Sequence, residues 1–132
     1  MISTNNKIER KKAEELWAAN KYLFLSKSHT YYLIIRDYIK RDNISSKDVQ
    51  RFIDKALGFA ESKKDVINAY QHIWGYFKDQ ANKAEKEDFF RLIDDYENDK
   101  ICKESILEYL SKLLSKYPNE YLENSTIFHQ KT

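Results

Sequence analysis

At 132 residues the chain is of single-domain size and long enough to bury a core. Its 2 Gly and 1 Pro are too few for the turns of a many-stranded fold, and 42% hydrophobic with 33% charged residues excludes the low-hydrophobicity class of disordered chains. The net charge of +2 excludes capture of a nucleic acid through bulk electrostatics and leaves that role to local clustering of cations.

Apolar residues recur at helical spacing along the chain, which predicts an all-α fold, a compact bundle of about six helices with a short C-terminal turn. One domain is expected over 1–132, with 1–6 and 124–132 having little to bury and prone to fray. A first helix over 7–25 carries Ile8, Leu16, Ala19 and Leu23 at that spacing, and Trp17 and Phe24, seven apart, share a core-facing side. Lys21 and Tyr22 fit a core less readily. The stretch Ser26-Lys27-Ser28-His29-Thr30 reads as a loop beside the next helix start, where backbone N–H groups favour anions. Capping by Ser28 or Thr30 is the simpler account of it.

A second helix over 30–41 directs Tyr31, Ile34, Ile35, Tyr38 and Ile39 inward and ends in Arg36, Lys40 and Arg41, cations that complement the macrodipole. Ser45-Ser46-Lys47-Asp48 is a capping-box pattern with Asp in place of Glu, and it opens a third helix striped by Val49, Phe52, Ile53, Ala56, Leu57 and Phe59.

The fourth helix, Ser62 to Lys78, is the expected centre of the bundle because it has two readable faces. Val66, Ile67, Tyr70, Ile73, Trp74 and Phe77 form a core face, while Lys64, Asn68, Gln71, His72, Gly75 and Lys78 lie opposite. Gly75 costs about 1 kcal/mol against Ala in a helix interior, so its place on the polar face suggests that something comes close there. Ser62-Lys63-Lys64-Asp65 repeats the capping pattern of Ser45 to Asp48, and Lys63 and Lys64 occupy the first turn, where the dipole disfavours cations. Lysines so placed are better ligand candidates than those at helix ends.

Asn82-Lys83-Ala84-Glu85 caps a fifth helix with Phe89, Leu92, Ile93 and Tyr96 at core spacing. A sixth, from 103 to 116, buries Ile106, Leu107, Leu110, Leu113, Leu114 and then Tyr117 until Pro118 stops it, and Tyr121 with Leu122 adds one more turn. The single Cys102 cannot form an internal disulfide, and with His29, His72 and His129 it offers no zinc or iron–sulfur ligand spacing. No metal or cofactor is expected. No apolar run reaches the roughly 20 residues of a membrane span, and MISTNNKIERKK lacks the apolar core of a signal peptide, so a cytoplasmic setting is expected.

The segment with Asn68, Gln71-His72 and Gly75-Tyr76-Phe77-Lys78 resembles the signature of the YbgA-like domain family. Trp17, Lys21-Tyr22, Ser28, Glu85-Lys86, Tyr117-Pro118 and Tyr121-Leu122 match further marks of that family in order, so the resemblance spans nearly the whole chain. Asn20, Asp65 and the Cys102-Lys103 pair depart from it, replacing two histidines and a proline-rich apolar run. The family occurs alone or behind a desulfidase domain that removes sulfur from thiouracil-type bases. The resemblance thus implies a helical accessory domain that helps such an enzyme engage tRNA.

On that reading Lys21, Lys27, Lys63, Lys64 and Lys78 are expected to contact phosphates, and Tyr22, His29, Asn68, Gln71, His72 or Tyr76 to meet bases or ribose, with Gly75 admitting a close approach. The alternative is a protein-interaction subunit that docks onto a separately encoded desulfidase through its 10 Tyr, 7 Phe and 2 Trp. His72 with Asp79, or His29 near Lys21, has acid–base chemistry to offer. Neither comes with a nucleophile, metal set or nucleotide loop, so intrinsic catalysis is not the expected activity.

Overall fold

The computed structural model describes residues 4–129, and every regular element among them is helical: α1 (Thr4–Lys27), α2 (His29–Ile39), α3 (Ser46–Leu57), α4 (Lys63–Trp74), α5 (Lys83–Glu97), α6 (Lys103–Lys116), the single turn α7 (Glu120–Glu123) and a closing 3-10 turn (Thr126–His129). The caps lie where the sequence places them. Ser28, Ser45, Ser62 and Asn82 each accept a backbone N–H from three residues on, and Asn82 with Glu85 completes a reciprocal box. Each such cap is worth about 1 kcal/mol against Ala. At Ser45 the box is closed by a third party: Tyr38 Oη accepts from the Ser45 N–H at 2.9 Å and donates to Asp48 Oδ2 at 2.8 Å.

Two apolar clusters form the interior. One joins Ala13, Phe24, Ile35, Tyr38, Val49, Ile53 and Ala56 from α1, α2 and α3. The other joins Tyr22 and Leu25 of α1 to Val66, Tyr70, Ile73, Trp74, Phe77, Phe89, Ile93, Ile106, Leu110 and Leu122. The first helix thus serves both, and it packs against α2, α3, α4 and the closing turn. Its last turns are buried without interruption from Tyr22 to Ser26, because one side faces each cluster. That makes α1, rather than α4, the element shared by the two clusters.

Several expectations are corrected. The loop read over 26–30 shrinks to Ser28 alone, with Ser26 and Lys27 ending α1 and His29 and Thr30 beginning α2. Tyr22 is core, 5% exposed, and its hydroxyl donates to that of Tyr76 at 2.9 Å. Ile8, Ile34 and Leu57, read as inward, are 47%, 56% and 49% exposed, since each sits at the margin of its stripe. The fourth helix ends at Trp74, and 75–80 continue as turns held by Tyr76 N–H to Ile73 O and Phe77 N–H to Trp74 O.

Gly75 is therefore a C-cap, not an interior residue, and its φ of −53° is ordinary right-handed backbone. A Cβ there would lie 3.1 Å from the His72 carbonyl, so the tightened turn itself accounts for a glycine.

The C-terminal stretch, expected to have little to bury, packs on α1 instead. Ser125 and Ile127 are 0% and 3% exposed, and Thr126 Oγ1 donates to Asn20 Oδ1 at 2.7 Å while Asn20 Nδ2 donates to Leu16 O at 2.9 Å. Asn20 thus ties the closing turn to α1. At the other terminus 4–6 are helical, and residues 1–3 and 130–132 lie outside the described residues.

Two marks of the family resemblance meet between α5 and α6. The Glu85 carboxylate accepts from the Asn82 N–H at 2.9 Å, the Tyr117 hydroxyl at 2.7 Å and Lys116 Nζ at 3.0 Å, which together hold its pKa at about 2 against an ordinary 4.5. A depressed folded pKa stabilises fully above the unfolded value and is lost as pH falls through the folded one. Glu85→Gln is expected to melt below wild type at pH 7, with the gap closing between about pH 4.5 and pH 2. Parallel thermal melts check this, and a gap that does not vary with pH would refute it.

Candidate functional face

The outer side of α4, the end of α1, the side of α2 that carries His29, Tyr32 and Arg36, and residues of α5 line three open depressions that share residues with one another. The first, of about 290 Å³, is lined by Lys21, Tyr22, Leu25, His29, Tyr32, Leu33, Arg36 and His72. The second, of about 630 Å³, is lined by His29, Lys63, Lys64, Asp65, Ile67, Asn68, Gln71 and Glu97. The third, of about 730 Å³, has Gln71, Trp74, Gly75, Lys78, Asp79, Lys86 and Phe90. His29 belongs to the first two and Gln71 to the last two, so the three form one continuous face.

The face gathers most of the residues singled out from the sequence: Lys21, Tyr22, His29 and His72 at one end, Lys63, Lys64, Asn68 and Gln71 in the middle, and Gly75 and Lys78 at the other. Lys27 and Tyr76 line none of the three. Tyr76 is instead stacked on Tyr121 with ring centroids 6.2 Å apart.

Lys63 is the least available of the cations. Its ammonium pairs with Asp99, donates to Glu97 O at 3.3 Å and lies 5.8 Å from the Tyr96 ring centroid. Asp99 reaches it from a left-handed φ of 61° at the end of α5, where Asp99 N–H bonds Tyr96 O and Lys100 N–H bonds Asp95 O. This is the Schellman closure that glycine commonly fills. The apparent misplacement of Lys63 at a helix start is thereby explained as a tie between α4 and α5.

Lys21, Arg36, Lys64, Lys78 and Lys86 have no acidic group within 4.0 Å among the described residues. Tyr32, Arg36, Lys86, Phe90 and Glu97 also line the face, outside the set of contact residues expected from the sequence. For Arg36 a signal existed: it follows Tyr32 by four and His29 by seven, which places all three on one side of α2. The place of Arg36 in the last turn of α2, where a cation complements the macrodipole, masks that alignment.

Among the described residues no group of three or more His, Cys, Asp or Glu is placed to hold a metal ion, and no helix is long and apolar enough to cross a membrane. Cys102 is exposed at the start of α6, and its thiol makes no capping hydrogen bond to the helix.

Fold and face together define an all-helical domain with an open, polar, cation-bearing surface. The family model for a protein of unknown function, DUF1722, matches residues 21–131, and the chain belongs to that family. The resemblance to YbgA-like domains is consistent with this membership. No curated protein and no solved structure matches the chain.

Proposed function

We propose that this chain is a non-catalytic accessory domain that binds RNA, tRNA first among them, in support of an RNA-modifying partner such as a desulfidase. The observation that carries this reading is the joining of the three depressions into one face on which Lys21, Arg36, Lys64, Lys78 and Lys86 alternate with Tyr32, Phe90 and the amides of Asn68 and Gln71. Single-stranded and looped RNA is held by that mixture: cations on phosphates, aromatic rings under bases and amides on base edges. Asp65, Asp79 and Glu97 interrupt the positive field along the same face, which favours selected contacts over indiscriminate binding.

The test is a gel-shift titration of the chain with tRNA between 50 and 200 mM salt. At about 0.7 counterions released per phosphate on single strands, five neutralised phosphates predict an affinity loss on the order of 100-fold over that range. No binding, or binding indifferent to salt, would count decisively against RNA.

The second reading, a protein-interaction subunit without nucleic-acid contact, has an observation of its own. Tyr76 and Tyr121, 38% and 37% exposed and mutually stacked, form an aromatic patch of the kind that anchors interfaces. Capture of a separately encoded enzyme that survives nuclease and high salt, and is lost in Tyr121→Ala, would favour that reading.

A further inference from the structure

The first of the three depressions differs in its chemistry from the other two. No carboxylate lines it, whereas Asp65 and Glu97 line the second and Asp79 the third. Its rim carries Lys21, Arg36, His29 and His72, and none of these side chains makes a hydrogen bond or ion pair among the described residues. Two of them donate as cations, and an imidazole donates a ring N–H in either protonation state. The remaining wall is aromatic and apolar. Tyr32 is stacked on Trp17 at 5.3 Å, has the exposed His29 ring nearly parallel at 14° and 6.3 Å and the Arg36 guanidinium 6.0 Å from its centroid, and Tyr22, Leu25 and Leu33 line the same pocket.

This combination selects an anion attached to a flat ring. A bare phosphate would leave the Tyr32 and Leu33 surface unused, and a bare base would leave the donors of Lys21 and Arg36 unpaired. The volume of about 290 Å³ lies at the small end of ligand pockets, which excludes a double helix and leaves room for one residue of a chain.

Resting on the RNA reading above, we infer that the junction of α1, α2 and α4 is a subsite for a single phosphorylated nucleotide, unstacked from its neighbours. Its phosphate lies between Lys21 and Arg36, and its base lies against the exposed His29 ring, which the Tyr32–Trp17 stack backs. The remaining two depressions then track the adjoining backbone toward Lys64 and Lys78.

The experiment is an amide-resolved NMR titration of the full chain with uridine 5′-monophosphate, adenosine 5′-monophosphate, uridine and inorganic phosphate, run beside tRNA gel shifts. Either mononucleotide is expected to shift amides around Lys21, His29, Arg36 and His72 and to bind at least several-fold tighter than uridine or phosphate. Arg36→Glu is expected to weaken mononucleotide binding by about tenfold or more, the scale of one charged hydrogen bond, and to weaken tRNA binding as well. Lys112→Glu, a charge reversal on α6, should leave both unchanged.

Inorganic phosphate binding as tightly as a mononucleotide, shifts confined to other surfaces, or an Arg36→Glu variant indistinguishable from wild type overturns the subsite. If tRNA binds with its salt dependence but mononucleotides leave the pocket untouched, the subsite alone fails. If mononucleotides bind there and tRNA does not, the subsite stands for a free nucleotide and the RNA reading fails.

Discussion

Phe77→Ala is expected to cost about 3–5 kcal/mol of folding free energy, the range for truncating a buried aromatic residue. At the size of this domain that corresponds to a fall in melting temperature of roughly 10–20 °C. Phe77 is 0% exposed although it lies beyond the last residue of α4, in the turn where its carbonyl accepts from the Gln80 and Ala81 N–H groups at 2.9 and 2.8 Å. Its ring is thus the anchor that holds the 75–80 turn against the larger cluster. Ile34→Ala is the matched control. Helical spacing places Ile34 inward, but at 56% exposure its removal should change stability by no more than about 0.5 kcal/mol. Denaturant melts of the two variants decide the matter, and comparable losses in both would show that the margin of the α2 stripe is buried after all.

Reversing Lys21, Lys64 and Lys78 together to glutamate is expected to lower tRNA affinity on the order of 100-fold at low salt, from about 1 kcal/mol for each lysine–phosphate pairing removed. The three sit one in each depression, so the triple variant interrupts the face along its length. None of them makes an ion pair among the described residues, so the melting temperature should barely move. A second triple variant, Lys47→Glu, Lys100→Glu and Lys112→Glu, carries the same net charge with the reversals on α3, after α5 and on α6. It should retain most of the affinity. An equal loss in both would mean that RNA responds to total charge, and the face would have no special part in binding.

Lys63 is left out of the first triple variant for a physical reason. Its pairing with Asp99 joins α4 to α5, so weaker binding by Lys63→Glu would mix a local rearrangement with the absence of a phosphate partner. From sequence the two lysines at the start of α4 look alike. Only the left-handed Asp99, which follows Lys63 by 36 positions, separates them.

Helix type and helix ends were legible because both depend on residues within one turn of each other. The spacing of Phe89, Ile93 and Tyr96, the capping side chains of Ser28, Ser45, Ser62 and Asn82, and the stop before Pro118 all report on local hydrogen bonding and local burial. Phe77 marks the limit of that logic. The turns after Trp74 keep it on the inward side, so the apolar pattern runs on after the helix has ended.

The polar column Lys64, Asn68, Gln71 and Gly75 on α4, and the helical character of every element around it, follow from the order of residues alone. That Lys21, Arg36 and His72 share one small pocket does not, since they come from three helices whose approach depends on how side chains interdigitate across long separations. The same holds for the tie of Thr126 to Asn20, 106 positions apart, which turns an apparently idle tail into part of the α1 packing. Periodicity assigns a residue to a side of its own helix. Which sides come to face each other, and so which cations share a pocket, is set by the tertiary packing.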